Sequence, residues 1–339
     1  MSRHRPDPET MYGALALATR APSVHNTQPW RWLIGRQSLH LMADWTRQAH
    51  VTDPDGHDLL LSCGATLHHA RVAFAALGWA SRVHRIPNPA DTDHLAAIEL
   101  HPADPSDEDV ALAAAITGRH TDRRRYSSWP VPQGHVDLLV EHAARQGVLA
   151  VPVTDPIRRH RLATAMGLAA DKQESDPAYN MEMALWSGLG LAATEGVLSA
   201  SAPAGRRCHG DTRMRTFARG DLLESTVEPS ALDGGELLVL TTPQDDPVSR
   251  LRAGEAASAM LLAATDLGLA TCPLSQVVEV PGGRQSVHED VLDSAGVPHL
   301  VLRVGWAPIA APTLPRSRRR PAEQVTAFLP GAAPCRAHR

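Results

Sequence analysis

Three short stretches of this chain stand out, and in two of them the residue types and spacing could do chemistry, one toward a planar ring and one toward a phosphate. In Pro22-Ser23-Val24-His25-Asn26-Thr27-Gln28-Pro29-Trp30, Ser and Asn offer short polar groups and open backbone to a planar heteroaromatic ring. Proline fixes the backbone on both sides, and Trp30 anchors the loop in a core. The plainer reading is an Asx-rich turn between a helix and a strand. In Arg119-His120-Thr121-Asp122-Arg123, two guanidinium groups at i and i+4 can fork onto a phosphate dianion, with the Thr121 hydroxyl between them. Here the plainer reading is a solvated basic turn. The third stretch, Leu267-Gly268-Leu269-Ala270-Thr271-Cys272-Pro273-Leu274-Ser275-Gln276, reads by itself as a helix C-cap and turn.

These stretches need elements to hold them. The pattern predicts a short helix over 8–20 and a strand pair over 30–43 with a turn near Gly35. A long helix follows from Asp58 to Gly78, with Leu60, Cys63, Leu67, Ala70, Phe74 and Leu77 on one stripe. A strand is expected near Leu95–Leu100, a linker over 102–110, and helices over Asp109–Thr117 and about 133–146. Residues 157–198 read as helical with Gly-rich breaks, and Ser199–Asp221 as a long aperiodic excursion. Leu237–Thr241 and His299–Gly305 read as buried strands around a second Ala/Leu helix, Glu255–Gly268. The helix end Ala73…Leu77-Gly78-Trp79-Ala80 is matched by Ala263…Leu267-Gly268-Leu269-Ala270, a weak internal repeat.

Composition narrows the classes. The 339 residues suit two domains or one large one, and a 43% apolar fraction can bury a core. A net charge of −4 gives no global pull toward nucleic acid or an anionic membrane. Lys172 is the single lysine, so an isolated Arg says little and a motif is needed around it. Cys63, Cys208, Cys272 and Cys335 are scattered, which suggests neither a disulfide framework nor a thiolate zinc site. No signal peptide or membrane span is expected, so the default compartment is the cytoplasm. His68 and His69 are adjacent on a helix and diverge, no H-E-x-x-H occurs, and no metal is expected. G-x-S-x-G, the P-loop and G-x-G-x-x-G are absent from the sequence.

The first stretch resembles the A-P-S-x-x-N-x-Q-P-W loop of nitroreductases. The second resembles that family's R-x-[ST]-x-[RK] phosphate motif, followed here by Tyr126 and Pro130-Val131-Pro132. The third resembles its G-L-G/A-T segment, and Arg319-Arg320-Pro321 its basic residue before a late Pro. The resemblance implies an α+β nitroreductase-like fold and one non-covalent FMN. It assigns cofactor contacts to Pro22, Ser23, Val24, Asn26 and Gln28 in the loop, and to Arg119, Thr121 and Arg123 at the phosphate. Pro273, Leu274, Ser275 and Gln276 would follow the ring edge, with amides of Ser275 and Gln276 near flavin N5 and O4. Arg319 or Arg320 would reach the phosphate. His25 is read either as a flavin neighbour or as a structural turn residue, and Glu182, Met183 and Trp186 as core packing.

The departures from the family matter as much. Nitroreductase subunits carry both loop and phosphate motif and build each flavin site between two subunits. Here the first half has the loop without the phosphate motif. The second half has the motif, but Arg145-Gln146-Gly147-Val148-Leu149-Ala150 where its own loop would be. This resembles the Acg-type flavoproteins, single chains that imitate the dimer. It implies two nitroreductase-like halves, 1–112 and 113–339, one composite site, and an insertion around 170–235 whose segment 199–221 acts as a lid. The expected function is hydride transfer through flavin N5 between NAD(P)H and a nitroaromatic- or quinone-like acceptor. The alternative is FMN storage behind a closed lid. No side chain is assigned as catalytic, nucleic acid and membrane are not expected partners, and further pairing into a homodimer stays open.

Overall fold

The computed structural model describes residues 5–223, 233–308 and 312–332. Cys335 and part of the stretch 170–235 lie outside them. The fold is α+β. Its centre is a pair of crossed helices, α2 (His57–Ala76) and α7 (Pro247–Asp266), both 20 residues long and offset by 190 positions. Each is flanked by its own sheet.

In chain order, α1 (Pro8–Ala18) leads through the first loop into β1 (Trp30–Ile34) and β2 (Ser38–Ala43), then α2, β3 (Trp79–Arg85) and β4 (His94–Pro102). The connector α3 (Asp107–Gly118) follows. The second half repeats the scheme with α4 (Gln133–Ala144) and β5 (Leu149–Pro152), an insertion, β10 (Glu236–Thr242), α7, β11 (Ala270–Leu274) and β12 (Val297–Gly305). The sheets have corresponding orders: β1-β2-β4-β3 in one and β5-β10-β12-β11 in the other. The insertion holds α5 (Pro156–Glu174), α6 (Pro177–Trp186) and the short strands β6 (Ser187–Leu189), β7 (Val197–Leu198), β8 (Arg207–His209) and β9 (Thr212–Met214).

The helix pair explains the repeat. A Cβ on Gly64 would stand 2.0 Å from Leu251 O, and one on Gly254 would stand 2.0 Å from Leu61 O. Residues 61 and 64 thus meet 251 and 254 reciprocally, as a twofold contact requires. Glycine is needed at both places because backbone lies directly against backbone. His68 faces Ser258, the position 190 residues on, with Nδ1 to Oγ at 2.8 Å. The predicted single stripe on α2 is therefore too narrow. The helix is buried nearly all round, between α7 and its own sheet, and Leu77 alone of the six stripe residues is exposed.

Other boundaries moved for local reasons. α7 starts eight residues before the predicted Glu255, because the Asp246 side chain caps Ser249 N and Pro247 occupies the first turn. α3 begins inside the predicted linker, at a capping box between Ser106 and Asp109. Residues 187–198 are not helical: Gly188 and Gly196 take positive φ and the chain forms two short parallel strands. The strand Trp79–Arg85 was not predicted. It alternates only weakly because it is the half-exposed edge beside β4. After β12 the chain crosses back, and β13 (Thr326–Phe328) adds parallel to β1, so the last described residues belong spatially to the first sheet. Among the described residues, no helix is long and apolar enough to cross a membrane.

Candidate functional site

Residues 19–29, between α1 and β1, form a tight wall. Ser23 Oγ accepts from Gln28 N at 3.0 Å, and Val24 N donates to Ser62 Oγ of α2 at 3.1 Å. His25, Asn26 and Gln28 have φ of 47°, 57° and 52°, a left-handed backbone that L-residues adopt only when their surroundings hold them there. The second half contributes Arg119 at the end of α3. Asp122 N donates to Thr271 O at 2.8 Å, which pins residues 119–123 beside β11.

These walls border two adjoining lobes of open space. The larger lobe, about 1020 Å³ of unfilled space including its mouth, lies over the α2–α7 crossing. It is lined by Pro22, Ser23, Val24 and His25 from one half and by Thr121, Arg123 and Pro273, Leu274, Ser275 and Gln276 from the other. The smaller lobe is cationic. Arg20, Arg119, Arg123, Arg316 and Arg319 line it together with Asn26 and Thr121, and no Asp or Glu does among the described residues. Pro22, Ser23, His25, Thr121 and Arg123 border both lobes.

The cationic lobe is electrostatically incomplete. Burial and the neighbouring Arg20 push Arg119 down to about 10. Burial, with Arg119 and Arg20, pushes Arg319 down to about 9. Both remain cations at neutral pH. Arg119 Nε and Nη1 and Arg20 Nε are buried without a partner, and so is Asn26 Oδ1. Unpaired buried donors around one space fit a bound dianion. His25 is held neutral, down to about 3, chiefly by burial and then by Arg215, and its Nε2 is also unpartnered.

Two predicted contacts stand elsewhere. Gln28 is fully buried and borders neither lobe: its Nε2 donates to Thr194 O at 2.8 Å and its Oε1 accepts from Arg320 N at 2.8 Å. It ties the loop to the insertion and the tail. Arg320 turns away toward Asp44, at 4.0 Å, and leaves the lobe to Arg319. Arg123 is shared, since its Nη1 donates to Ser201 O at 3.0 Å and its guanidinium lies 4.7 Å from the Phe217 ring. Sequence reasoning missed Arg20, Arg316, Asp58 and Phe217. Arg20 had a signal, two residues before Pro22. Asp58 and Phe217 had none, because only the folded helix pair and insertion bring them to the cavity. The insertion puts Met214, Arg215 and Phe217 on the cavity wall, with Phe217 edge-on to His25 at 6.5 Å.

The sequence profile of the Nitroreductase family matches residues 116–306. The Mycobacterium tuberculosis protein named "Putative NAD(P)H nitroreductase Rv3131" is 44% identical over 325 residues, 96% of this chain and 93% of that protein. The chain belongs to the nitroreductase family. A second M. tuberculosis relative, "Putative NAD(P)H nitroreductase acg", is 36% identical, with 94% of this chain and 95% of that one aligned. Among solved nitroreductases, the FMN-dependent NfnB of Mycobacterium smegmatis, crystallised with NADPH, is 16% identical and covers 66% of this chain and all (100%) of its own, with a TM-score of 0.41. A nitroreductase-like structure from Anabaena variabilis covers 90% of each chain at 10% identity and a TM-score of 0.48.

Proposed function

We propose that this nitroreductase-family chain binds one FMN in the two-lobed cavity and works as an NAD(P)H-dependent oxidoreductase on nitroaromatic- or quinone-like acceptors. The observation that carries the reading is the cationic lobe. Five arginines, with two unpaired nitrogens on Arg119, line a lobe that adjoins a large, mostly apolar slot, which matches a phosphate joined to a flat ring. Arg20, Arg119, Thr121 and Arg319 would hold the phosphate, and Asn26 would face its ribityl side. Pro22, Ser23 and Val24 would cover one side of the ring, and Pro273, Leu274, Ser275 and Gln276 would follow its edge.

When bound, FMN supplies hydride acceptance and donation. The protein's part is to position and to exclude water. The α2–α7 crossing forms a flat floor of Leu61, Ala65, Gly254 and Ala257, and the strained loop fixes the first wall. The reciprocal helix contact and the matched sheet orders support two fused nitroreductase-like halves that keep a single composite site.

The insertion favours a second reading, FMN storage, because it contributes Met214, Arg215 and the buried Phe217 to the wall of the ring lobe. One experiment separates them. The purified protein, loaded with FMN, should be yellow and should bleach when NADPH is added without oxygen. A yellow protein that dithionite bleaches and NADPH does not would be a flavin store. Failure to bind FMN at all would defeat both.

A further inference from the structure

Asp58, in the first turn of α2, borders the ring lobe on one side and a second cavity on the other, lined by Asp53, Asp55, His57 and Asp245. Behind it runs a line of hydrogen bonds. Asp58 Oδ1 meets His57 Nδ1 at 3.0 Å, His57 Nε2 meets His299 Nδ1 at 3.0 Å, and His299 Nε2 meets Thr242 Oγ1 at 2.6 Å. Thr242 Oγ1 also donates to Gln244 O at 2.6 Å.

The protons on this line can be assigned. A peptide carbonyl only accepts, so the one Thr242 proton goes to Gln244 and His299 must donate from Nε2. His299 Nδ1 then accepts from His57 Nε2–H. His57 Nδ1 is left as an acceptor, and its donor can only be Asp58 Oδ1–H. Each contact has one proton when both rings are neutral and Asp58 is a carboxylic acid. The other carboxyl oxygen, Asp58 Oδ2, is buried without a partner. The electrostatic surroundings agree. Burial, chiefly, and then the adjacent Glu279 carboxylate raise Asp58 well above the usual carboxylate range, while burial lowers His57 and His299 to about 3. Glu279 keeps its charge through Arg215 and through Ser275 Oγ at 2.6 Å.

His57, His299 and Asp245 could suggest a cation site. The rings oppose that. They are within 8° of parallel and meet nitrogen to nitrogen, so an ion on that line would sit about 1.5 Å from each, inside the about 2.0 Å of a His–metal bond. Asp245 is also engaged by Arg250 and Arg284.

We propose that Asp58 is the proton donor of the cavity, and that His57 and His299 are positioning residues that hold it as a neutral acid. This rests on the oxidoreductase reading above. The Asp58 carboxyl turns its O–H from His57 Nδ1 to the ring lobe, that O–H bond breaks, and the proton bonds to the oxygen of the nitro- or quinone-like acceptor, whose electrons come from NAD(P)H as hydride. The carboxylate regains a proton from water in the outer cavity, so one proton passes from solvent to product. The charged and titratable groups facing Asp58 are His57, Asp53, Asp55, Asp245, Glu279, Arg215, Arg250 and Arg284.

Asp58→Asn tests this, because the amide still donates to His57 Nδ1 but has no proton to give. The flavin-loaded variant should keep full FMN occupancy and bleach with NADPH as the wild type does. Its turnover of a quinone should fall by about 100-fold or more, the usual weight of a positioned acid. The independent readout is infrared. At pH 7 the difference spectrum between the flavin-free wild type and Asp58→Asn should show one neutral carboxylic acid C=O band that only the wild type has, the band of Asp53 being common to both. Absence of that band in the wild type, or turnover in the variant within about tenfold of wild type, overturns the inference. A wild type that shows the band and binds no FMN defeats the oxidoreductase reading instead.

Discussion

The two halves share a scaffold and differ in what hangs from it. Helix α1 reaches β1 through residues 19–29, which build the strained loop, whereas α4 reaches β5 through 145–148, a bare turn. Conversely, β1 and β2 are joined by the turn at 35–37, while β5 and β10 are separated by the whole insertion. Sheet order and helix crossing survive both changes because they are set by buried backbone contact and strand pairing. The strained loop 19–29 and the arginine-bearing stretch 119–123 stand in opposite halves and border the same space. The tail completes the asymmetry, since β13 extends the first sheet at β1 while β5 remains an edge. Packing conserves the frame, and the loops carry the chemistry.

The largest test of this comparison is acid sensitivity. Four of the five deeply buried, strongly shifted histidines, His25, His57, His68 and His69, come from the first half; His299 comes from the second. Each has its folded pKa lowered, so its stabilising contribution is complete above about 6.5 and is lost as pH falls below it. Asp53, raised to about 8, and Asp58 act in the opposite sense. Between pH 4.5 and 6.5 the unfolded chain binds five histidine protons and the native chain holds two extra on the aspartates. Unfolding free energy should therefore fall on acidification by up to roughly 4 kcal/mol per pH unit. Urea titrations at stepped pH measure this. His69→Gln should flatten the slope, and an unchanged slope would remove the first half from the explanation.

Next comes the crossing itself. Gly64→Val and Gly254→Val each force a side chain against a backbone carbonyl and should each cost at least about 3 kcal/mol in chemical denaturation. The sharper claim is that the two costs are similar. A large cost at one and a small cost at the other would break the twofold relation. Smaller again is the phosphate lobe, where Arg119→Ala should weaken FMN binding by about 1.5–3 kcal/mol in a fluorescence-quenching titration. Arg145→Ala, in the mirror turn, should leave the affinity unchanged, since Arg145 pairs with Glu108 and Glu141 on the surface.

Much of this was legible in the sequence, and the gaps have physical causes. Long helices, strands with buried alternation and the loop motifs are local patterns, and they fell close to where they were read. Edge strand Trp79–Arg85 was hidden because half of it faces solvent. The start of α7 was hidden because its first turn is polar, although Asp246-Pro247 signalled it. The three motifs converge on one cavity because each abuts the helix crossing, but the second rank of the site depends on contacts between distant residues. Asp58 gains its setting from His299, 241 positions away, and Phe217 gains its place from an insertion without periodicity. No spacing rule carries either.

The smallest prediction concerns the two tail arginines, which the sequence could not tell apart. Arg319 lies among Arg20 and Arg119 with its guanidinium buried, and donates to Ala21 O at 3.3 Å and Arg20 O at 3.4 Å, both in the loop approach. Arg320 lies outside both lobes, and its backbone N is what Gln28 uses. Alanine at 320 keeps that N–H. Arg320→Ala should therefore change FMN affinity by less than about 0.5 kcal/mol, the range of ordinary surface substitutions. Arg319→Ala removes a charge from the lobe and should match Arg119→Ala. If the two tail variants behaved alike, the tail would not complete the cationic lobe through a single register. The crossing of the second half's tail onto the first half's sheet would then matter for packing rather than for the anion.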